Sequence, residues 1–130
     1  MKINKLVTYP FGYSNILKTL YQQDKLPIEK GFYGEKLTKD TVSLEHLKPH
    51  SQGGKTKLNN LVLADKFKNN QRSNKPLKEF FDPKKAKEYL DQFVNLIVPY
   101  NEKGVKKVFD GNKYIQEVTE TITNLLKNNK

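Results

Sequence analysis

Apolar and polar side chains alternate over residues 41–47, and this period of two predicts a half-buried β-strand. His46 has the same parity as the apolar positions of the strand, whereas Glu45 has the opposite parity. The two side chains are therefore expected to point to opposite faces unless the chain bends between them. Pro49 lies three residues further on and favours a bend or a strand end close to this point.

A second strand and a helix are predicted directly after the first strand. The loop turns at Gly53–Gly54, a pair typical of hairpins. Asn60–Ala64 is a short apolar run of the kind found in buried strands, and Asp65 supplies an N-cap for a helix from Lys66 to about Ser73. The centre of the chain is therefore predicted to be a β-hairpin followed by a helix.

The region before the hairpin has helical periodicity. An apolar, strand-like segment at Ile3–Tyr9 is stopped by Pro10. From the N-cap Ser14 to a stop at residues 25–27, a helix is predicted whose apolar face consists of Ile16, Leu17, Leu20 and Tyr21.

Two further helices are predicted after the hairpin. Asp82–Pro83 begins the first, and Pro99 ends it; its apolar stripe is Ala86, Tyr89, Leu90, Phe93, Leu96 and Ile97. A link with Gly and Lys leads to the second, from about Lys113 to Lys127. The expected fold is a single α+β domain, mainly helical, with a hairpin and helix core at about residues 41–76, an N-terminal flank at 1–40 and a C-terminal flank at 77–130.

Charge is concentrated on the central stretch. The 130 residues include 24 Lys+Arg and 14 Asp+Glu, which gives a net charge of +10 and a pI near 9.6. Seven cations and only one anion lie within residues 46–75. An excess of this size indicates a polyanionic partner, and nucleic acid is a commoner partner than an anionic membrane for a small domain.

The composition excludes several kinds of site. There are no cysteines, so disulfides, thiolate zinc sites and a cysteine nucleophile are excluded. No stretch approaches the ~18 apolar residues of a membrane span, and residues 1–10 lack the apolar run of a signal peptide. We therefore expect a cytoplasmic protein that binds nucleic acid.

The central stretch contains the residue types that phosphodiester hydrolysis requires. His46 is the natural general base, because imidazole titrates near neutral pH. Glu45 offers a hard anionic oxygen suited to Mg²⁺ or Mn²⁺. An asparagine oxygen is a weaker ligand for the same ions, and on these grounds alone Asn60, Asn69 and Asn70 are equal candidates.

The spacing of these residues adds information. Asn60 follows His46 by fourteen residues, and Asn69 follows Asn60 by nine. With these steps the stretch resembles the ββα-metal motif of the HNH (His-Asn-His/Asn) endonucleases, in the variant with Asn last that occurs in RNA-guided CRISPR effector nucleases. The matching positions are Glu45-His46, Pro49, Ser51, Gly53-Gly54, Asn60-Leu61-Val62-Leu63 and Asn69.

The resemblance implies a role for each of these polar residues. His46 would be the general base, Glu45 and Asn69 the ligands of one Mg²⁺ or Mn²⁺, and Asn60 the brace that orients the base. It further implies a metal-dependent endonuclease that cleaves DNA to 5′-phosphate and 3′-hydroxyl ends, of bacterial or phage origin. Glu45 stands where Asp is commoner in the family.

The resemblance also implies a zinc-free variant of the motif. Many HNH proteins carry two Cys-x-x-Cys knuckles, and the corresponding positions here are Gly31–Gly34 and Asp65–Lys68, with no cysteine. No structural zinc is therefore expected. Phe32, Tyr33 and Phe67 are expected to pack in the place of the metal.

Basic side chains of the motif are expected to grip the DNA backbone without reading its sequence. They are Lys48, Lys55, Lys57, Lys68, Arg72 and Lys75. His50 has three open interpretations: it contacts phosphate, assists the leaving group or lies in a polar loop. Specificity is expected from the flanks, a homodimer or a partner protein. Two alternatives stay open, a non-catalytic nucleic-acid-binding protein on the same scaffold and a nuclease that cleaves RNA.

Overall fold

The computed structural model describes residues 16–128. Within them the chain has a mixed α+β fold with five α-helices and two small antiparallel sheets, which confirms the expected class. The elements are α1 (Ile16–Gln22), β1 (Val42–His46), β2 (Leu61–Asp65), α2 (Lys66–Arg72), α3 (Leu77–Phe80), α4 (Pro83–Asp91), β3 (Ile97–Glu102), β4 (Val105–Asp110) and α5 (Gly111–Asn128). None of these helices is long and apolar enough to cross a bilayer. The predicted strand Ile3–Tyr9 and the predicted cap Ser14 lie outside the described residues.

The first hairpin and its helix lie where the sequence predicts them. β1 and β2 pair antiparallel, with His46 opposite Leu61. Asp65 ends β2, and its carboxylate accepts hydrogen bonds of 2.9 and 3.3 Å from two backbone amides in the first turn of α2. Because the cap joins strand to helix with no intervening loop, α2 is held directly against the hairpin.

Helix α1 buries the apolar face that its periodicity predicts and packs on both strands of the first hairpin. Two residues beyond its end, Asp24 is left-handed (φ 62°), and the Lys25 amide donates to the Leu20 carbonyl at 2.9 Å. This termination lies within three residues of the predicted stop.

The prediction of one helix from Pro83 to Pro99 is wrong in its second half. Helix α4 ends at Asp91, and Pro99 lies inside β3, opposite Val108 of β4. Among residues 16–128, the second sheet consists of two strands, and on the edge of a strand that faces away from its partner a proline costs no ladder hydrogen bond. The predicted link of Gly and Lys is the turn of this hairpin, where Lys103 (φ 52°) and Gly104 (φ 80°) are both left-handed.

The C-terminal flank therefore contains a hairpin in addition to the two predicted helices, together with the short α3. Helix α5 begins at Gly111, two residues before its predicted start. A side chain on Gly111 would collide with the Phe93 carbonyl, because its Cβ would lie 2.0 Å from that oxygen. This close approach places the start of α5 against Phe93, two residues beyond the end of α4.

Two buried tyrosines join the C-terminal helices to the outer edge of β2. The Leu63 amide donates to the Tyr89 hydroxyl at 2.9 Å, and the Tyr114 hydroxyl donates to the Leu61 carbonyl at 2.8 Å. The two hydroxyls lie 2.9 Å apart, so the Tyr89 proton is left for the Tyr114 oxygen. Burial raises the pKa of both phenols, which keeps them protonated as donors. α4 and α5 thereby fix the strand opposite His46.

Candidate active site

His46 is the last residue of β1 and is half-buried. Its Nε2 atom lies 3.0 Å from the Thr56 hydroxyl, across the loop that joins β1 to β2. Partial burial lowers the pKa of His46 below its ordinary value of 6.5, and the nearby His50 lowers it further. The imidazole is therefore neutral at pH 7, which is the form that a general base requires.

His50 lies beside His46 on an exposed one-turn 3₁₀ helix, His50–Gln52, that follows Pro49. The two ring centroids are 6.2 Å apart, and the rings are arranged edge to face. His50 therefore lies in a polar surface loop, as one of its three interpretations has it, and also next to His46. Contact with phosphate and assistance to the leaving group stay predictions. We call His46, His50 and Thr56 the histidine site.

Asn60 holds the loop between the two strands closed. Its Oδ1 accepts from the Lys48 amide at 2.8 Å, and its Nδ2 donates to the carbonyls of Lys48 and Lys55 at 3.1 and 2.8 Å. Gly54 passes so close that a Cβ there would lie 1.8 Å from the Lys48 carbonyl oxygen. Asn60 therefore satisfies three backbone groups of the loop, which agrees with a bracing role.

Glu45 is buried, with only 3% of its surface exposed. Its Oε2 accepts a hydrogen bond from the Tyr33 hydroxyl and forms an ion pair with Arg72 Nη1 at 3.3 Å. Burial raises the pKa of Glu45, because desolvation outweighs the effect of these two donors. The side chains of Glu45 and His46 contact different partners, in agreement with the opposite strand faces predicted from their parity.

Arg72 does not grip nucleic acid as predicted, because its side chain is 0% exposed. It lies on the side of α2 that packs against β1, and its guanidinium is used entirely inside the protein. Nη1 donates to the His46 carbonyl at 2.9 Å, Nη2 to the Leu47 carbonyl at 2.7 Å and Nε to the Lys75 carbonyl at 3.0 Å. Lys68, four residues earlier on α2, is exposed, so burial separates the two residues.

Asn69 lies one turn before Arg72 on the same side of α2. Its Nδ2 donates to the Ser43 hydroxyl at 3.1 Å and to the Leu44 carbonyl at 3.0 Å. Asn70 is exposed. Of the two adjacent asparagines, Asn69 is thus the one that faces the strand carrying Glu45 and His46.

The geometry does not fit a divalent metal held by Glu45. Both donors on its Oε2 atom are cationic or hydroxyl groups, and a cation bound there would have to displace Arg72. Asp65 is also engaged, as the cap of α2. Within residues 16–128, no group of three or more His, Asp or Glu side chains is placed to hold an ion.

Three predicted phosphate-binding lysines line one surface cavity of about 410 Å³, which we call the basic cavity. Lys48, Lys55 and Lys57 are exposed there, next to Asn60, and helix α5 contributes Thr121, Asn124 and Leu125 to the opposite wall. Sequence reasoning missed this contribution of α5, because only the folded chain brings residues 121–125 to the loop. The basic cavity and the histidine site share one loop, since Thr56 lies between Lys55 and Lys57.

The remaining predicted lysines are exposed but lie elsewhere. Lys68 lines a separate cavity of about 250 Å³ with Tyr33, Phe80 and Lys85. The Lys75 ammonium lies 5.5 Å from the centre of the Phe80 ring. The basic residues of the motif are therefore divided between different surfaces.

Of the three aromatic residues that the resemblance places at the knuckle positions, two are buried and one is exposed. Phe32 and Tyr33 are buried with their ring centroids 5.2 Å apart, in a tight turn closed by a bridge between Lys30 and Lys36. The expectation for Phe67 is wrong, because 63% of that residue is exposed. Phe67 is on the first turn of α2, whose inner side is occupied by Asn69 and Arg72.

The chain matches no protein-family model, no curated protein and no solved structure.

Proposed function

We propose that the protein is an endonuclease that hydrolyses phosphodiester bonds of DNA, with His46 as the general base. The observation that carries the proposal is a half-buried histidine of lowered pKa whose partner, Thr56, lies in the same loop as two lysines of the basic cavity. An imidazole that is neutral at pH 7 accepts a proton from water, and the lysines attract and orient the phosphate backbone. The resemblance of the central stretch to the HNH motif supports the same reaction.

In the proposed reaction the Thr56 hydroxyl accepts a hydrogen bond from Nε2–H of His46, which leaves the lone pair on Nδ1. Nδ1 takes a proton from water as the water oxygen forms a bond to phosphorus. The bond between phosphorus and the 3′ oxygen breaks, that oxygen takes up a proton from solvent water, and the protonated His46 releases its proton to solvent. The products are a 5′-phosphate and a 3′-hydroxyl.

A requirement for Mg²⁺ or Mn²⁺ enters the proposal through the resemblance alone. A bound divalent ion would stabilise the charge on the leaving oxygen. Glu45 is not free to hold one, so the steps above assign only what His46, Thr56 and the lysines do. EDTA should stop cleavage if the requirement holds, and cleavage that continues in EDTA would remove the metal from the proposal.

The decisive experiment is a plasmid-nicking assay with wild type and His46→Ala purified in the same way, each with and without Mg²⁺ or Mn²⁺. Loss of a general base is expected to lower the rate by about 10²–10⁴-fold. DNA binding, measured separately by fluorescence anisotropy, should be nearly unchanged. Wild-type activity in the His46→Ala protein would show that the proposal is wrong.

The basic cavity supports a second candidate, a nucleic-acid-binding protein without catalytic activity. Its three exposed lysines would bind a phosphate backbone whether or not His46 acts as a base. The same assay separates the two candidates. If the wild-type protein binds DNA but cleaves it with none of the metals tested, the result would favour the non-catalytic binding protein.

A further inference from the structure

The guanidinium of Arg72 is bonded to the backbone at the residue proposed as the base. It donates to the carbonyls of His46 and Leu47 at 2.9 and 2.7 Å, where β1 ends and the loop begins. These two bonds restrain the two peptide groups that follow the His46 and Leu47 Cα atoms. The direction in which the imidazole leaves the backbone is therefore tied to a side chain of α2.

Arg72 is itself held on every donor nitrogen. Nε donates to the Lys75 carbonyl at 3.0 Å, and Nη1 also reaches Glu45 Oε2 at 3.3 Å and the Tyr33 hydroxyl at 3.4 Å. Tyr33 in turn donates to the Glu45 carboxylate. Since Arg72 and Glu45 are both buried, each needs the other as its counter-ion.

We propose, on the basis of the proposed nuclease function, that Arg72 is a positioning residue for His46 and that Glu45 serves as its counter-ion and not as a metal ligand. The planar fork of arginine bonds two successive carbonyls and a carboxylate at once, which the ammonium of lysine does not reproduce. Glu45 thereby contributes to the site through Arg72, without contact with the substrate. This assignment differs from the metal-binding role that the sequence resemblance implies for the same residue.

The first test is Arg72→Lys, which keeps the charge and removes the fork. The Michaelis constant for plasmid DNA should stay near its wild-type value, and kcat should fall by roughly tenfold to a hundredfold, as for a small displacement of a reacting group. The ring ¹⁵N resonances of His46 should shift, and those of the exposed His50 should not. A folded Arg72→Lys protein with wild-type kcat and His46 resonances would overturn the proposal.

The second test is Glu45→Gln, which keeps the shape of the side chain and an oxygen acceptor. Binding of Mn²⁺ in the absence of DNA, measured by electron paramagnetic resonance, should be the same in wild type and variant, including the case in which neither binds. Weakening of Mn²⁺ binding by roughly tenfold or more would show that Glu45 supports a metal site, directly or through the ligands, and would overturn the proposal. Glu45→Gln should also shift the His46 resonances. If the Arg72→Lys protein does not fold, Glu45→Gln takes its place as the test of the positioning role.

These readouts separate the inference from the proposed function. If the wild-type protein does not cleave DNA, the nuclease proposal fails, but the ¹⁵N shifts and Mn²⁺ binding still report on Arg72 and Glu45. If wild type cleaves DNA and the His46 resonances of both variants are those of wild type, the nuclease proposal stands and the positioning role is wrong.

Discussion

The Nε2 atom of His46 lies 3.0 Å from the hydroxyl of Thr56, which belongs to the loop between the first two strands. A hydroxyl at this position restrains the orientation of the imidazole, and in the proposed tautomer it accepts a hydrogen bond from Nε2–H. The loop that carries Thr56 is closed by Asn60, so the base is oriented by a segment that is itself held rigidly at both ends. Thr56 is not one of the motif positions, and the fold alone reveals its contact with His46.

Thr56→Val is expected to lower kcat for DNA cleavage by roughly fivefold, since one neutral hydrogen bond contributes about 1 kcal/mol. Thr56→Ser, which keeps the hydroxyl, should retain most of the activity. Thr123→Val is the matched control, because that exposed hydroxyl bonds only a carbonyl of its own helix. Equal rates for Thr56→Val and wild type in the plasmid assay would show that the contact does not matter for catalysis.

The lowered pKa of His46 predicts the acid side of the pH profile. Protonation removes the base, so kcat/KM should fall as the pH drops, with a midpoint below 6.5. Burial is the larger cause of the lowered pKa, and the charge of His50 adds to it. His50→Ala should therefore move the midpoint upward. A wild-type midpoint above 6.5, measured with free enzyme and dilute substrate, would contradict the predicted environment of His46.

The basic cavity predicts a salt-dependent contribution to DNA binding. The double variant Lys55→Ala/Lys57→Ala should bind DNA more weakly and should lower the slope of log Kd against log salt by about one for each phosphate that is no longer neutralised. Lys106→Ala, at an exposed position on β4, is the control and should leave the slope unchanged. If the double variant and Lys106→Ala have the same slope, the DNA does not occupy the cavity.

The first hairpin, α1 and α2 were predictable because local signals agree there. The period-two pattern of β1, the apolar run of β2 and the Asp65 cap all favour one arrangement. The segment after Asp91 was not predictable in the same way. Phe93 is buried and continues the helical spacing of Tyr89, yet it packs on Tyr114 and Phe109 from a turn beyond the helix.

The candidate site was predictable in its residues but not in their contacts. The spacing picks out His46 and Asn60, and the structure places both in one loop region. The same spacing cannot show that Glu45 is buried against Arg72, because that contact joins residues 27 apart in sequence and depends on how α2 packs. A count of charges along the sequence likewise places Arg72 on the surface, whereas the fold buries its side chain.

Asn60 and Asn59 provide a matched pair for the stability of the loop. Asn60→Ala removes three hydrogen bonds and leaves the amide and carbonyl of Lys48 and the carbonyl of Lys55 without this partner. We expect the free energy of unfolding to fall by about 2–4 kcal/mol, since unsatisfied buried groups each cost about 1–3 kcal/mol and water reaches part of this loop. Asn59 is exposed, and Asn59→Ala should change stability by less than about 0.5 kcal/mol. Urea denaturation measures both, and similar midpoints for the two variants would show that Asn60 does not hold the loop closed.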